Sequence, residues 1–286
     1  MKREQIWQVD LGSVADTERL GRALATALRA GDYLLLKGDL GTGKTTLARA
    51  IIHALGGAGE EVPSPSFTLV QSYTDLRVPV WHFDLYRVEN EDELPELGFE
   101  EAEETGACLV EWPAILSASL PPDYLEIELE DLQGQRSARL RARGNWAERL
   151  ARLCELDNFL RDAGWQQAER RWLQGDASSR SYEKLILGDR RAVLMNAPKP
   201  AAAPPLREGR SYGQLAHLAQ DMTPFVAVSA YLQRLGLSAP KILASDLENG
   251  FLLLEDLGDD VYTARLARGA DMDAPYRAAI EALNIL

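Results

Sequence analysis

The sequence predicts an α/β protein, a mostly parallel sheet built around a phosphate-binding loop, followed by a second, α+β unit. Three observations carry that expectation. Gly38-Asp39-Leu40-Gly41-Thr42-Gly43-Lys44-Thr45-Thr46 fits G-x-x-x-x-G-K-[ST] and follows directly on the apolar run 33–37, the strand–loop–helix order of a P-loop NTPase. Strand-like and helix-like segments alternate through the first half, as they do where helices cover a parallel sheet. The charge then steps near residue 148. Residues 1–148 hold 14 Lys+Arg against 26 Asp+Glu, a net of -12, whereas residues 149–286 hold 17 against 18, a net of -1.

The elements follow in order. Ile6 to Val9 reads as a short strand. Asp16 or Thr17 caps a helix to about Arg29, with Leu20, Leu24, Ala27 and Leu28 on one face and Gly31 ending it. The apolar run 33–37 is a buried strand. The helix after the loop, about Thr45 to Leu55, turns Leu47, Ala50, Ile51, Ala54 and Leu55 inward. Pro63-Ser64-Pro65-Ser66 is a loop, 67–73 a strand, 78–85 a second strand with Asp84 near its end, and 107–110 a buried strand ending at Glu111-Trp112. Residues 124–130 alternate apolar and acidic side chains as an edge strand does, and pair with 137–143 through Gln133-Gly134. The boundary falls near 144–149, giving domains 1–148 and 149–286. Beyond it come an amphipathic helix over 146–163, a turn-rich 175–179, strands at 172–173, 182–187 and 192–195, and a Pro/Ala-rich linker at 197–209. A helix at 224–236, strands at 242–243 and 250–254, and a helix over 278–286 complete the chain.

Composition narrows the function. The chain has 286 residues, 46% of them hydrophobic, and a formal net charge of -13, which suits one large or two ordinary globular domains. An acidic first half does not grip nucleic acid directly and is better suited to a basic protein partner. The nine Asp/Glu among residues 89–104, with no Lys or Arg, read as a solvated helical face or as a docking surface. Cys108 and Cys154 read as small buried hydrophobes in a reducing compartment. The N-terminus has no apolar signal-peptide core, and no apolar run approaches membrane-spanning length. A cytoplasmic protein without membrane or DNA contact is expected.

The candidate site is built on the loop. Its glycines let backbone N–H groups turn toward phosphate oxygens, Lys44 supplies a mobile charge, and the Thr45 hydroxyl can ligate magnesium. The helix that follows aims its positive end at the same anion. Hydrolysis needs carboxylates as well, and Asp84 and Glu111 end two strands whose C-terminal ends converge where ligands bind. One would hold magnesium and the other orient water or metal, with the assignment open. Ser64, Ser66 and Thr68, after a rigid Pro turn, form a candidate switch that senses the γ-phosphate. His82, between Trp81 and Phe83, reads as a satisfied core histidine.

These segments together resemble one family. GDLGTGKTT at 38–46, SPSFTLVQSY at 64–73, HFDLYR at 82–87, ELGFEE at 96–101 and VEW at 110–112 come in the order and spacing of the TsaE ATPases of bacterial tRNA threonylcarbamoyladenosine synthesis. The resemblance spans about residues 5–145. It implies ATP and Mg2+ as cofactors and ATP hydrolysis in support of a TsaB–TsaD complex that modifies adenosine 37 of tRNA, with the tRNA held by the partners. It further implies that Lys44 holds phosphates, that Thr45 and Glu111 serve the metal, that Asp84 is catalytic or metal-linked, and that Trp112 lies beside the nucleotide or the partner. Ser66 stands where the family usually has Thr.

The second half resembles the N-terminal lobe of aminoglycoside phosphotransferase-like kinases, especially the anomeric cell-wall sugar kinases. The matching segments are GDASSRSYEKL at 175–185, AVLMNAP at 192–198 and GLSAPKILASDLENGFLLLEDLGDD at 236–260. That implies strands covering ATP and a hinge at Leu254-Glu255-Asp256-Leu257. The second half holds no H-x-D catalytic loop, and Asn196 stands where the family tends to have Asp. A truncated fusion without kinase activity is therefore expected. The competing readings are a sugar kinase with residues 1–148 as an appendage, and a nucleotide-dependent switch with negligible turnover.

Overall fold

The computed structural model describes residues 6–116, 120–173, 180–199, 215 and 221–286. It divides into two compact units, Met1–Asn158 and Phe159–Leu286. The division falls inside the helix Trp146–Asp162, ten residues beyond the boundary expected from the sequence.

The first unit is a seven-stranded sheet. In chain order it contains β1 (Ile6–Asp10), α1 (Val14–Ala27), β2 (Tyr33–Lys37), α2 (Lys44–Ala54), β3 (Val70–Tyr73), β4 (Val80–Asp84), α3 (Phe99–Thr105), β5 (Ala107–Glu111), β6 (Tyr124–Leu132), β7 (Gln135–Ala142) and α4 (Trp146–Asp162). The strand order is β1-β7-β6-β2-β5-β4-β3. The four central strands, β6, β2, β5 and β4, are parallel, and β1, β7 and β3 pair antiparallel at the margins. Strand β2 is buried on both faces, as the middle of a parallel sheet must be. Leu34 and Leu36 face α1 and α2 through Leu20, Leu24, Leu47 and Ile51. Tyr33 and Leu35 face the opposite layer of Phe83, Val110, Leu94 and Ala102, where Phe99 stacks on Phe83 at 4.1 Å.

Three expectations are corrected. Strand β6 lies between β7 and β2 and is not an edge. Its apolar residues Leu125, Ile127 and Leu129 enter the core. On its other face Glu126 meets Lys37 at 2.7 Å and Arg141 at 2.8 Å, and Glu128 approaches Arg141. Cross-strand ion pairing thus produces the alternation that looked like an edge. Strand β3 begins at Val70, not Phe67, because Leu69 adopts φ +64° and gives its N–H to the Pro65 carbonyl, closing a turn. Helix α1 is capped by Ser13, whose Oγ accepts from the Asp16 N–H, so Asp16 sits in the first turn.

The acidic run folds as a 3-10 turn, Glu91–Leu97, and α3, with Leu94 and Ala102 buried and most of the acids exposed. Cys108 is fully buried, and burial pushes its thiol up to about 12, so it behaves as an apolar side chain.

The second unit is a five-stranded antiparallel sheet made of β8 (Glu169–Leu173), β9 (Ser181–Leu187), β10 (Arg190–Asn196), β11 (Ile242–Asp246) and β12 (Phe251–Glu255), in the order β11-β12-β10-β9-β8. Helix α5 (Thr223–Arg234) contributes Phe225 and Val226 to a core of Met195, Met222, Leu252 and Leu254. Arg170 and Glu183 form a bidentate pair at 2.7 Å across β8 and β9. Helices α6 (Tyr262–Ala267) and α7 (Asp273–Ile285) end the chain, α7 starting five residues before the expected helix. The turn at 175–179 and residues 200–209 of the linker lie outside the described residues. Among the described residues no helix is long and apolar enough to cross a membrane.

Candidate functional site

The site forms where β2, β4 and β5 end. Paired residues on parallel strands point to one side of the sheet. The pairs Asp84–Glu111 and His82–Leu109 therefore all project toward the α2 layer, to which Leu109 belongs. The loop from β2 into α2 lies over these acids. An open cavity of about 330 Å³ is lined by Leu40, Gly41, Gly43, Lys44, Thr45, Thr46, Ser64, Ser66, Asp84, Tyr86, Glu111 and Trp112.

Gly38 begins the loop at φ +129°, and a Cβ there would stand 2.2 Å from the Leu129 carbonyl oxygen. No other residue fits that position. Gly38 and Asp39 are not among the cavity-lining residues, and their carbonyls each accept from Lys44 Nζ at 2.8 Å. Thr42 turns its hydroxyl to the Asp39 carbonyl at 2.9 Å and so braces the loop. Lys44 opens α2 with its ammonium 3.9 Å from the centre of the Trp112 ring. Burial lowers its pKa, although Glu111, Asp84 and Asp39 pull the other way.

Trp112 adopts φ +57°, strained for a bulky side chain. That backbone, directly after Glu111, sets the indole over Lys44 and 4.9 Å from Tyr86. Such strain is typical of a residue held for a site.

The two acids have different partners. Glu111 Oε1 accepts from Thr45 Oγ1 at 2.8 Å and lies 2.9 Å from His82 Nε2. Asp84 Oδ2 accepts from Ser64 Oγ at 2.7 Å and Ser66 Oγ at 2.9 Å, while Oδ1 accepts from the Tyr86 N–H at 3.1 Å. Both carboxylates are buried. Glu111 is tied to the phosphate loop, and Asp84 to the 63–69 segment. Thr68 is exposed and lies outside the cavity lining, so of the three hydroxyls read as a switch only Ser64 and Ser66 come together with the acids.

Sequence reasoning did not single out Tyr86, and it placed His82 in the core without a task. His82 is indeed fully buried, yet it touches Glu111. Its spacing two residues before Asp84, on the same strand face, was the available signal.

A parallel sheet with a glycine loop between a central strand and a helix, and two buried acids at neighbouring strand ends, defines a nucleotide-binding protein of the P-loop class. The family model described as threonylcarbamoyl adenosine biosynthesis protein TsaE matches residues 11–139. The tRNA threonylcarbamoyladenosine biosynthesis protein TsaE of Rickettsia conorii is 40% identical over 126 residues, covering 44% of this chain and 72% of the relative. That of Rickettsia prowazekii is 34% identical over 154 residues, covering 53% of this chain and 96% of the relative. The chain belongs to the TsaE family. It is also similar to an N-acetylmuramate/N-acetylglucosamine kinase of Caulobacter vibrioides, 40% identical over 134 residues, but it spans only 37% of that kinase.

Proposed function

We propose that the chain hydrolyses ATP in the loop cavity and that this turnover supports N6-threonylcarbamoyladenosine formation at position 37 of tRNA by a TsaB–TsaD pair in the cytoplasm. The observation that carries the reading is the Thr45–Glu111 hydrogen bond at 2.8 Å, which joins the loop hydroxyl to a buried acid on the neighbouring strand.

The donor set fits magnesium. Thr45, Glu111 and Asp84 offer only oxygen, as a hard cation prefers, and their number leaves room for phosphate oxygens and water. Magnesium, when bound, neutralises charge on the phosphates. Lys44 leaves the Gly38 and Asp39 carbonyls and moves to the terminal phosphates. Thr45 and Glu111 would hold the metal, the Thr45 hydroxyl donating to Glu111 Oε1 so that its own oxygen lone pairs stay free. Asp84 sits on the other side with Ser64 and Ser66, suited to orient the attacking water and to tie the 63–69 segment to the state of the γ-phosphate. Trp112 and Tyr86 wall the cavity. The acidic surface of the first unit leaves the tRNA to the partners.

The test is modification of tRNA over many turnovers by purified TsaB–TsaD supplied with threonylcarbamoyl-AMP. The intact chain sustains turnover, and Lys44→Ala and Glu111→Gln do not. If Glu111→Gln binds nucleotide and still supports modification, ATP acts as a binding switch and hydrolysis is dispensable.

The kinase similarity supports a second reading for Phe159–Leu286, a kinase-type N-terminal lobe whose β9 and β10 cover a nucleotide. Phosphoryl transfer needs donor and acceptor positioned together, and residues 149–286 contain no H-x-D catalytic loop. No phosphorylation of N-acetylmuramate is expected from this chain, and a radiolabel transfer assay checks it.

A further inference from the structure

Among the described residues, His82 is the one fully buried polar side chain at the site for which the mechanism above has no use. Its Nε2 lies 2.9 Å from Glu111 Oε1. A carboxylate only accepts, so the proton resides on Nε2. The other ring nitrogen, Nδ1, is buried and has no partner among the described residues. An unmet polar atom in a core costs stability that an apolar side chain of similar shape would not. The ring thus gives its single hydrogen bond to one atom of the site, at a penalty that packing alone does not explain.

The contact also constrains Glu111. Its Oε1 accepts from His82 on β4 and from Thr45 on α2, so the carboxylate is gripped from two elements. Among the described residues its Oε2 carries no hydrogen bond. We propose that His82 is a positioning residue whose Nε2–H fixes the Glu111 carboxylate and, through it, the Thr45 hydroxyl in the orientation that receives the nucleotide's metal. This rests on the functional reading above. Outer partners of this kind typically change metal affinity or activity by about 10–100-fold when removed.

The experiment uses the full chain and two substitutions that differ only in reach. In His82→Asn the amide sits near the position of Nδ1, where there is no partner. In His82→Gln it extends toward that of Nε2. Binding of a fluorescent ADP is followed against magnesium concentration and again with chelator. His82→Asn is expected to raise the half-saturating magnesium concentration about 10-fold or more while metal-free affinity stays within about twofold, and His82→Gln is expected to recover most of the loss. The proposal is overturned if His82→Asn leaves the magnesium requirement unchanged, if it weakens metal-free binding by the same factor, or if His82→Gln is no better than His82→Asn. Glu111→Gln run alongside separates the two readings. Should that variant keep wild-type magnesium dependence and turnover, the functional reading falls whatever His82 does. A measurement on metal-free protein covers variants that do not fold. The imidazole Nε2–H of the wild type should exchange slowly and shift in Glu111→Ala, and a rapidly exchanging Nε2–H would overturn the contact itself.

Discussion

Lys44 shows how one side chain can carry two opposed electrostatic demands. Burial lowers its pKa below the ordinary 10.5, and three nearby acids only partly offset that. A lowered folded value means that the folded protein binds fewer protons than the unfolded chain at alkaline pH. Lys44 itself therefore opposes folding below its own pKa, and that opposition fades as pH rises through it. Nucleotide binding has the reverse sign, because phosphates favour the ammonium and affinity falls once Lys44 deprotonates. Affinity for ADP is expected to decline from a pH below 10.5, by up to about tenfold per unit, and calorimetric titration across alkaline pH checks it. In Lys44→Arg, whose charge persists, the decline should disappear. A flat profile to pH 10.5 in the wild type would contradict the role.

Two loop glycines separate conformation from space. Both Gly38 and Gly41 have positive φ, but a Cβ on Gly38 meets the Leu129 carbonyl at 2.2 Å, whereas one on Gly41 meets nothing within 4 Å. Gly41→Ala should cost about 1–2 kcal/mol, the left-handed penalty alone. Gly38→Ala adds an overpacking cost of about 1–3 kcal/mol and should abolish nucleotide binding, because the loop must move off β6. Urea melts of both variants, with ADP binding, test the order. The phosphate loop itself was legible because chemistry fixes its residue types and spacing. The link from His82 to Glu111 was not, because it depends on register between two strands that are far apart in sequence.

At the level of elements, β2 and β5 were readable because burial on both faces leaves an uninterrupted apolar run. Misreadings arose where two causes give one pattern. In β6, salt-bridged acids on a covered strand imitate an edge. At 67–69, apolar and β-branched residues suggest a strand, yet the left-handed Leu69 and the Pro65 carbonyl make a turn. That turn is held from outside by Asp84, through Ser64 and Ser66. Asp84→Asn places an NH2 group, which donates and cannot accept, at one of its two carboxylate oxygen positions. The 63–69 segment should loosen while the sheet does not. Hydrogen exchange at the Leu69 amide is expected to accelerate about tenfold or more, the equivalent of losing about 1.4 kcal/mol of local protection, with β5 amides unchanged. Equal acceleration in both places would mean that Asp84 supports the whole unit and not the segment.

At the scale of the molecule, the question is where the first unit ends. Composition set the boundary at 148, because charge is what changes there. Packing sets it later. Trp146, Leu150 and Leu153 of α4 lie in the same core as β6 and β7. Arg149 donates to both oxygens of the buried Asp32, at 2.6 and 2.7 Å, and to the Ala27 carbonyl at 2.9 Å. A chain ended at 148 loses both leucines and leaves Asp32 without its guanidinium. Each leucine truncated to alanine in a core costs about 2–5 kcal/mol, and breaking a buried ion pair costs about 3–5 kcal/mol. Their sum is comparable with the roughly 5–15 kcal/mol that holds a domain together. A chain ended at 162 keeps all of these contacts. Residues 1–162 are therefore expected to melt cooperatively and to bind ADP as the full chain does. Residues 1–148 should be unfolded, or melt many degrees lower. Thermal melts of the two, with and without ADP, decide it. If both melt alike, α4 is an appendage of the first unit's core, and the contacts of Arg149 and Leu150 contribute little to its stability.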